Sequence, residues 1–425
     1  MRVVVCTIVH HPQDARILHR QIRAVLDAGH QVSYIAPLTA CAVRLRPRPG
    51  LTATDVPRAA GRRRAGALRA ARRELARLSQ GADLLIVHDP ELLLVLPLVG
   101  RRPPTVWDVH EDTAAALTTK AWLPRPLRPV VAAAVRRAER MAERRIHLIL
   151  AEHGYADRFR RRHPVVPNTT YVPDHPAPPG RGDRVVYIGH LSPDRGTSEM
   201  IEVGRLLRPH GIAVELIGPA DAQARAELTR AQAAGLIRWH GFLPNDKALL
   251  MSDGALAGLS LLHDEPNFRH SLPTKVAEYM AHGVPVITSP LPVAAGLVER
   301  YECGTVVPFG DPRAAADAVL RLAADPGLRA TQGLRGHRGA AESLGWPANA
   351  RSFVAQLEEW AAAPSRAAHA PPAAQAPPAA QDSLAVQEPA TAQAPVVPVP
   401  AIPVPAIPVP APPSRASAPS PGRRA

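Results

Sequence analysis

The sequence has little cysteine and few aromatic side chains. Its three cysteines, Cys6, Cys41 and Cys303, lie far apart among 425 residues and show no CxxC spacing. This pattern indicates neither a disulfide framework nor a zinc site, and it is typical of a protein kept in a reducing compartment. Because aromatic residues make up only 4% of the chain, Leu, Val, Ala and Ile must fill its cores.

Long apolar runs are also missing. No stretch reaches the roughly 18–20 apolar residues that a membrane-spanning helix needs. The first apolar run, in MRVVVCTIVHHPQDAR, is short and is followed by two histidines, which is unlike a signal peptide. We therefore expect a cytoplasmic protein, at most associated with the inner face of the membrane.

The chain is rich in positive charge and in apolar side chains. The formal net charge is +14, and 46% of the residues are hydrophobic. This charge favours phosphate-bearing ligands, nucleic acid or anionic membranes without selecting among them. Two basic helices, predicted at Arg63–Leu78 and Leu127–Arg145, could rest on an anionic membrane or simply cover a sheet.

Buried strands alternate with helical periodicity in two separate runs along the chain. In the first run, strands are predicted at Val3–Val9, Gln31–Ala36, Asp83–His88, Thr105–His110 and His147–Ala151, and further helices at Asp14–Ala28 and Glu91–Val99. In the second run, strands are predicted at Val185–Ile188, Ala213–Ile217, Ile237–His240, Gly258–Leu262 and Pro285–Thr288, and helices at Thr197–Leu207, Ala222–Ala233, Asp246–Met251 and Leu272–His282. Such alternation indicates βαβ units and parallel sheets.

Two such runs predict an α/β fold with two Rossmann-like domains. We expect an N-terminal domain over residues 1–172, a C-terminal domain over 183–345, and a last helix over 346–363 that packs back on the first domain. Residues 364–425 contain the near-repeat PVPAIPVPAIPVP, and their proline content predicts a disordered tail. That tail is either a spacer or a docking segment for a partner.

The segment Asn267–Ser289 carries the strongest chemical pattern. Lys275 and Glu278 lie three residues apart, so they share one face of the predicted helix. A carboxylate there can accept two vicinal hydroxyls, such as those of a ribose, and the lysine can meet a phosphate. An exposed ion pair explains the spacing equally well.

This segment, which reads SLP-x-K-x-x-EYMA-x-G-x-PVI, resembles the donor-binding motif of retaining family-4 glycosyltransferases (glycosyl transferases group 1). Other stretches resemble that family in the same order over about residues 1–360, namely HHPQDARI, HDPELL, WDVHE, YIGHLSPDRG and WHGFLP. The resemblance implies the GT-B fold, in which two Rossmann-like domains face each other. It further implies transfer of a hexosyl-type group from a nucleoside-diphosphate sugar with retention, without a bound metal or another cofactor.

The resemblance also implies roles for particular residues. Catalytic roles fall to His110, Arg195 and Lys275. Donor-binding roles fall to Gly189, His190, Arg195, Gly241, Phe242, His270, Ser271, Lys275 and Glu278. Acceptor recognition or cleft closure is expected of His11, Asp14 and Arg16, although Asp14 could equally be only a helix N-cap.

Two positions depart from the family's pattern. The family usually has a Glu that contacts the transferred sugar where this chain has His270, so His270, Ser271 or Glu265 is expected to replace it. His190 stands where an Arg is usual, which leaves Arg195 and Lys275 to neutralise the diphosphate.

Other functions compete with this interpretation. A nicotinamide-dependent dehydrogenase requires GxGxxG after the first strand, where this chain has HHPQDAR. A sugar-nucleotide epimerase of the same fold would bind the same donor and need no acceptor. A basic nucleic-acid-binding protein would use Arg62–Arg64 and Arg160–Arg162, but these runs lack interleaved aromatic residues, and we expect no nucleic-acid partner. For a transferase, the expected pathways are bacterial polysaccharide, glycolipid or secondary-metabolite biosynthesis.

Overall fold

A computed structural model describes residues 1–118, 124–178, 180 and 182–363 of the chain. These residues form two lobes, each built around a parallel sheet, as the strand–helix alternation predicted; each sheet has six strands, where five were expected. The expected Pro-rich tail over 364–425 lies outside the described residues.

The first lobe contains the sheet β3-β2-β1-β4-β5-β6. Its strands are β1 Arg2–Cys6, β2 Gln31–Ala36, β3 Leu51–Asp55, β4 Leu84–Val87, β5 Thr105–Val109 and β6 His147–Leu150. A π-helix at Ala15–Ile22 is continued by α1 Arg23–Asp27, and α2 Arg64–Ser79, α3 Thr113–Thr118 and α4 Arg128–Arg145 follow. The central strands β1 and β4 are mostly apolar and buried because helices cover both faces of the sheet.

The second lobe contains the sheet β12-β11-β10-β7-β8-β9. Its strands are β7 Arg184–Ile188, β8 Ala213–Ile217, β9 Arg238–Trp239, β10 Gly258–Ser260, β11 Val286–Thr288 and β12 Gly304–Val306. The helices are α5 Thr197–Leu207, α6 Ala222–Ala233, α7 Asn245–Ser252, α8 Thr274–Ala281, α9 Pro292–Tyr301, α10 Pro312–Ala324, α11 Pro326–Ser343 and α12 Trp346–Ala362.

The last helix, α12, belongs to the core of the first lobe although it follows the second in sequence. Its Trp346 and Phe353 are buried in one cluster with Val5 of β1 and Ile17 of the π-helix. The chain therefore crosses back to the first lobe at its end, and both lobes belong to one compact unit.

Four features of the first lobe differ from the sequence-based expectations. The predicted helix over Glu91–Val99 is wrong: two short 3₁₀ turns replace it, because Pro97 lacks the N–H that a continuous helix would need. The expected helix over Asp14–Ala28 begins as a π-helix. The first strand ends at Cys6 instead of Val9, and the edge strand β3 was not predicted.

No helix among the described residues is long and apolar enough to cross a membrane.

Candidate active site

The two lobes meet where the carboxyl ends of their central strands face each other. The ring of His11 lies 4.3 Å from the ring of Phe242. Arg20 of the π-helix forms an ion pair with Glu278 of α8, at 3.3 Å between Nη2 and Oε1. Open parallel sheets bind ligands beyond these strand ends, so the cleft between the lobes is the candidate site.

Lys275 lies buried in the first turn of α8, with only 3% of its surface exposed. Its ammonium lies 4.9 Å from the centroid of the Tyr187 ring. Burial and the nearby charge of Arg195 together lower the pKa of Lys275 to about 7, although Glu278 opposes the shift. A buried ammonium with so low a pKa is poised to bind an anion that would raise it again.

The loop after β7 passes close to this lysine. A Cβ atom added at Gly189 would lie 3.3 Å from Cε of Lys275, and the φ of 144° at Gly189 disfavours any other residue. His190 is exposed, and its carbonyl oxygen accepts a 2.7 Å hydrogen bond from the Tyr187 hydroxyl. The loop thus brings its backbone, the aromatic ring and Lys275 together.

Arg195 ends the same loop, just before α5 begins. Its guanidinium lies 5.3 Å from the centroid of the Phe268 ring, and its charge acts on both Lys275 and Tyr187. The first backbone N–H groups of α5 follow directly, at Thr197. Two cations and a helix N-terminus therefore surround the same space, which is suited to a diphosphate.

Glu278 lies one helical turn beyond Lys275 and is equally buried. Its Oε1 accepts hydrogen bonds from Arg20 and from Nδ2 of Asn245, both at 3.3 Å. Burial raises the pKa of Glu278, although Arg20 and Lys275 oppose the shift. This carboxylate is thus held by long contacts from both lobes and can exchange them for the hydroxyls of a ligand.

Gly241 and Phe242 follow β9 on the same side of the second lobe. The Gly241 carbonyl oxygen accepts a 2.7 Å hydrogen bond from the N–H of Gly218. Phe242 is 44% exposed and contacts His11 across the cleft.

The loop before α8 contains the three residues expected to replace the missing Glu. The side chain of His270 is exposed, while its backbone and Cβ pack against Gly154 of the first lobe. The Ser271 hydroxyl donates weakly to the Asn267 carbonyl oxygen at 3.4 Å. Glu265 is half-buried in the same loop.

In the first lobe, Asp108 at the end of β5 is the centre of a buried network. Arg16 donates to both of its carboxylate oxygens, from Nε at 2.8 Å and from Nη2 at 2.6 Å. Gln21 and His110 donate to the same carboxylate at 2.8 and 2.6 Å. Burial alone would raise the pKa of Asp108, but Arg16 and His110 outweigh it and hold the pKa well below its usual range.

His110 follows β5 with its Nε2 directed to Asp108 and its side chain 12% exposed. Its Nε2 also lies 2.9 Å from Nδ1 of His88. Burial lowers the pKa of His110 to about 4, despite the opposing charge of Asp108. The ring is therefore neutral at pH 7, and donation from Nε2 leaves Nδ1 as an acceptor.

Among the other expected acceptor residues, Arg16 is turned into the lobe. Its Nη1 donates to the Val166 carbonyl oxygen at 2.7 Å, so this guanidinium is largely satisfied by the protein. Asp14 caps the π-helix by accepting from the N–H groups of Arg16 and Ile17 at 2.8 and 3.0 Å. Of the three, His11 reaches furthest across the cleft.

A second carboxylate–histidine pair lies next to this network. Asp89, at the end of β4, bonds Nδ1 of His10 at 2.7 Å and also accepts from Thr7. Burial alone would lower the pKa of His10, but Asp89 outweighs it and raises the pKa to about 9. The rings of His10 and His110 lie 4.7 Å apart, so a charged and a neutral imidazole stand side by side.

One group of side chains in the described part of the chain has the spacing of metal ligands: His88, Asp108 and His110. The Asp108 carboxylate of this group is already neutralised by Arg16. A dication would have to displace that guanidinium, so these residues fit a hydrogen-bonded network better than a metal site.

Several residues of the cleft were not assigned from the sequence. Asp89 and Asp108 lie within the quoted motifs HDPELL and WDVHE, and their strand-end positions were the available signal. Arg20 lies four residues after Arg16, which places both on one helix face. Nothing in the local sequence identified Asn245.

Three comparisons with known proteins bear on the function of this cleft. Residues 182–325, which include β7, Lys275 and Glu278, match the family model described as "Glycosyl transferases group 1". WcaL of Escherichia coli (strain K12), provisionally named a colanic acid biosynthesis glycosyltransferase, is 27% identical over 161 residues. That match covers 37% of this chain and 39% of WcaL, so the chain spans under half of this relative's length.

The solved structures cover much more of the chain. Sucrose-phosphate synthase from Thermosynechococcus elongatus is similar over 84% of this chain and 98% of its own, with a TM-score of 0.64 and 18% identity. HepE from Anabaena, in complex with UDP-glucose, is similar over 84% of this chain and 100% of its own, with a TM-score of 0.62 and 14% identity. The fold is thus the GT-B fold, as the sequence predicted, and most of the second lobe matches the glycosyl transferases group 1 model.

Proposed function

We propose that this protein is a glycosyltransferase that uses a nucleoside-diphosphate sugar as donor. The observation that carries the proposal is the arrangement of Lys275, Arg195, Gly189 and Glu278 at the strand ends of the second lobe. These residues lie within the matched domain, and they offer cations to a diphosphate and a carboxylate to a ribose. HepE, which shares the fold, binds UDP-glucose.

The leaving diphosphate would be stabilised by charge from the second lobe. Lys275, Arg195 and the N-terminus of α5 meet the negative charge that develops as the glycosidic bond breaks. The diphosphate in turn raises the pKa of Lys275, so the lysine is protonated when the donor is bound. The second lobe thus binds and activates the donor without a metal ion or another cofactor in this scheme.

The first lobe would hold the acceptor and the transferred sugar. His110 is neutral and is oriented by Asp108, so its Nδ1 can accept a hydrogen bond from a sugar hydroxyl. His11 and Asp14 lie at the mouth of the cleft, and Arg16 fixes Asp108. We further propose that a hexosyl group is transferred with retention by front-side displacement, in which the departing phosphate takes the proton of the acceptor hydroxyl.

The acceptor would belong to a cell-surface polysaccharide, a glycolipid or a secondary metabolite. The name of WcaL, which places it in colanic acid biosynthesis, favours the first of these. The proposed location is the cytoplasm, where nucleotide sugars are made, with the protein at the inner face of the membrane.

An outward face of α4 supports this peripheral location. Both carboxylates of the helix, Glu139 and Glu143, are buried. Arg137, Arg140 and Arg144 are exposed and line a surface groove that Glu143 also borders. We propose that this face rests on anionic lipid, where each basic residue contributes about 1 kcal/mol.

A donor panel tests the proposed activity. The full chain is incubated with UDP-, GDP- and dTDP-sugars, and the release of free nucleoside diphosphate is followed. We expect slow donor hydrolysis with one base. A changed sugar on an intact nucleotide would instead indicate a sugar-nucleotide epimerase, and no reaction or binding with any donor would contradict both functions. Salt-sensitive retention on DNA would then favour the nucleic-acid-binding alternative.

A further inference from the structure

One buried carboxyl group of the cleft has no role in the scheme above. Glu152 directly follows β6 in the first lobe and is only 6% exposed. Its Oε1 accepts a long hydrogen bond, 3.3 Å from Nδ2 of Asn168, and the carboxyl group also accepts from the backbone N–H of Leu272. A carboxylate offers about four lone-pair sites, so these two contacts leave room for the hydroxyls of a ligand.

Glu152 lies at the same edge of the sheet as His110. Strands β5 and β6 are paired in parallel, with Val109 opposite Leu150. The N–H of Ala151 donates to the Val109 carbonyl oxygen at 3.0 Å, and the Tyr155 hydroxyl donates to the His110 carbonyl oxygen at 3.3 Å. Glu152 therefore sits beside the histidine that faces the cleft.

Glu152 also lies against the loop of the second lobe that precedes Lys275. A Cβ atom added at Gly154 would come within 2.9 Å of Cβ of His270, so the two segments touch. The backbone N–H of Leu272 favours the charged form of Glu152. The carboxyl group is thus placed between His110 and the start of α8, where the sugar of a donor held by Lys275 and Glu278 would project.

The environment of Glu152 suits hydroxyl groups better than a cation. Within the described residues, no Arg, Lys or His nitrogen lies within salt-bridge distance of it, and the nearby Arg16 is engaged by Asp108. Burial raises the pKa of Glu152 to about 7, although Leu272 and Asn168 oppose the shift. Near neutral pH the group can both accept and donate a hydrogen bond, as paired sugar hydroxyls require.

We propose that Glu152 binds the hydroxyls of the transferred sugar and so contributes to the choice of donor sugar. Glu152 of the first lobe would then supply the carboxyl group that the resembled family usually has at the position of His270. This inference rests on the proposed function, because it needs a nucleotide sugar in the cleft.

The test compares a nucleoside diphosphate with its sugar-bearing form. Calorimetry measures the Kd of UDP, GDP and dTDP and of UDP-glucose, GDP-mannose and dTDP-glucose for the wild type and for Glu152→Gln and Glu152→Asp. We expect both variants to bind the nucleoside diphosphate within about twofold of the wild type. The additional affinity contributed by the sugar should fall about tenfold, the equivalent of one charged hydrogen bond.

Glu139→Gln is the matched control, because Glu139 is a buried carboxylate of the same lobe that lies on α4 outside the cleft. Glu139→Gln should keep the wild-type ratio between the affinity for the sugar nucleotide and the affinity for the nucleoside diphosphate, even if its Tm is lower. Equal weakening of both ligands by Glu152→Asp would show that Glu152 only fastens the lobes together and would overturn the inference, as would an unchanged ratio. Binding of none of the six ligands to the wild type would instead refute the proposed function itself.

Discussion

The two lobes differ in how well the buried charged groups that face the cleft are hydrogen-bonded. In the first lobe, Asp108 and Asp89 each accept several hydrogen bonds, at distances of 2.5–3.2 Å. In the second lobe, Lys275 is buried over an aromatic ring, and the two hydrogen bonds that Glu278 accepts within the described part of the chain are both 3.3 Å long. Charged groups with several short hydrogen bonds fix the positions of neighbouring side chains. Buried charged groups with few or long hydrogen bonds are instead suited to binding a ligand.

The largest expected effect on stability is at Asp108, the best hydrogen-bonded charge of the first lobe. Asp108→Asn removes the partner of the buried Arg16, which leaves an uncompensated guanidinium. We expect a loss of about 3–5 kcal/mol in the free energy of unfolding. Thermal and urea unfolding measure it, while the Kd of a nucleoside diphosphate should stay within about twofold because the second lobe is intact.

Asp27→Asn is the control for that variant. Asp27 lies in the same lobe but pairs with Arg23 at the surface, so its removal should cost well under about 1 kcal/mol. Equal stabilities of the two variants would show that the Asp108 network does not support the first lobe.

In the second lobe, Lys275 should give the affinity for a nucleoside diphosphate a pH dependence. The pKa of Lys275 is about 7 in the free protein, and the diphosphate binds the protonated form. Above pH 7 the lysine must therefore take up a proton on binding. We expect Kd to weaken by up to about tenfold per pH unit above 7, and Lys275→Met to bind more weakly and without this dependence.

The pH dependence of the free energy of unfolding, measured without ligand, tests the pKa of Lys275 independently. The folded-state pKa of Lys275 lies below its ordinary value of 10.5, so the unfolded chain binds more protons between the two values. Stability should accordingly rise with pH from about 7 to about 10.5, and less so in Lys275→Met. If the free energies of unfolding of the wild type and Lys275→Met differed by the same amount throughout this pH range, the result would contradict the buried position of Lys275.

Between the lobes, Arg20 is expected to have an intermediate effect. Arg20→Ala leaves Glu278 without its cation, which raises the pKa of this carboxyl group further. At pH 7 we expect the affinity for a nucleoside diphosphate to fall about tenfold relative to the wild type, and this difference from the wild type to shrink as the pH rises. Arg20→Lys should keep most of the affinity, and tighter binding by Arg20→Ala would show that Arg20 instead blocks the site.

The smallest effect is expected at the basic face of α4. Arg140→Ala should weaken sedimentation with vesicles of phosphatidylcholine and phosphatidylglycerol about fivefold, from loss of one surface charge. Arg338→Ala removes an equally exposed arginine from the second lobe and should have no effect. Equal losses, or binding to pure phosphatidylcholine, would contradict a membrane-facing role for α4.

The sequence predicted the fold well because both lobes depend on strongly apolar strands and amphipathic helices. Helices α5 and α6 and strands β2 and β8 have the predicted bounds. Edge strand β3 escaped prediction because its LTATD sequence is largely polar and exposed. The helix expected after β4 failed because proline interrupts a stretch whose apolar spacing otherwise suits a helix.

The candidate site was less accessible to sequence reasoning. Lys275 and Glu278 lie in one motif and were assigned together. The pairs that shape the cleft join distant positions, since Arg16 and Asp108 are 92 residues apart and Arg20 and Glu278 are 258 apart. No local pattern specifies such partners, which are fixed only when the two sheets are brought together.

The central claim is that the second lobe binds the nucleoside diphosphate of a sugar donor through Lys275 and Glu278. Calorimetric titration of the wild type and of Glu278→Ala with UDP, GDP and dTDP tests it directly, with Glu299→Ala as an exposed control in the same lobe. We expect one of the three to bind the wild type and the control alike, and Glu278→Ala to lose about 100-fold in affinity, as for two charged hydrogen bonds. Unchanged affinity in Glu278→Ala, or no binding of any of the three, would contradict the claim.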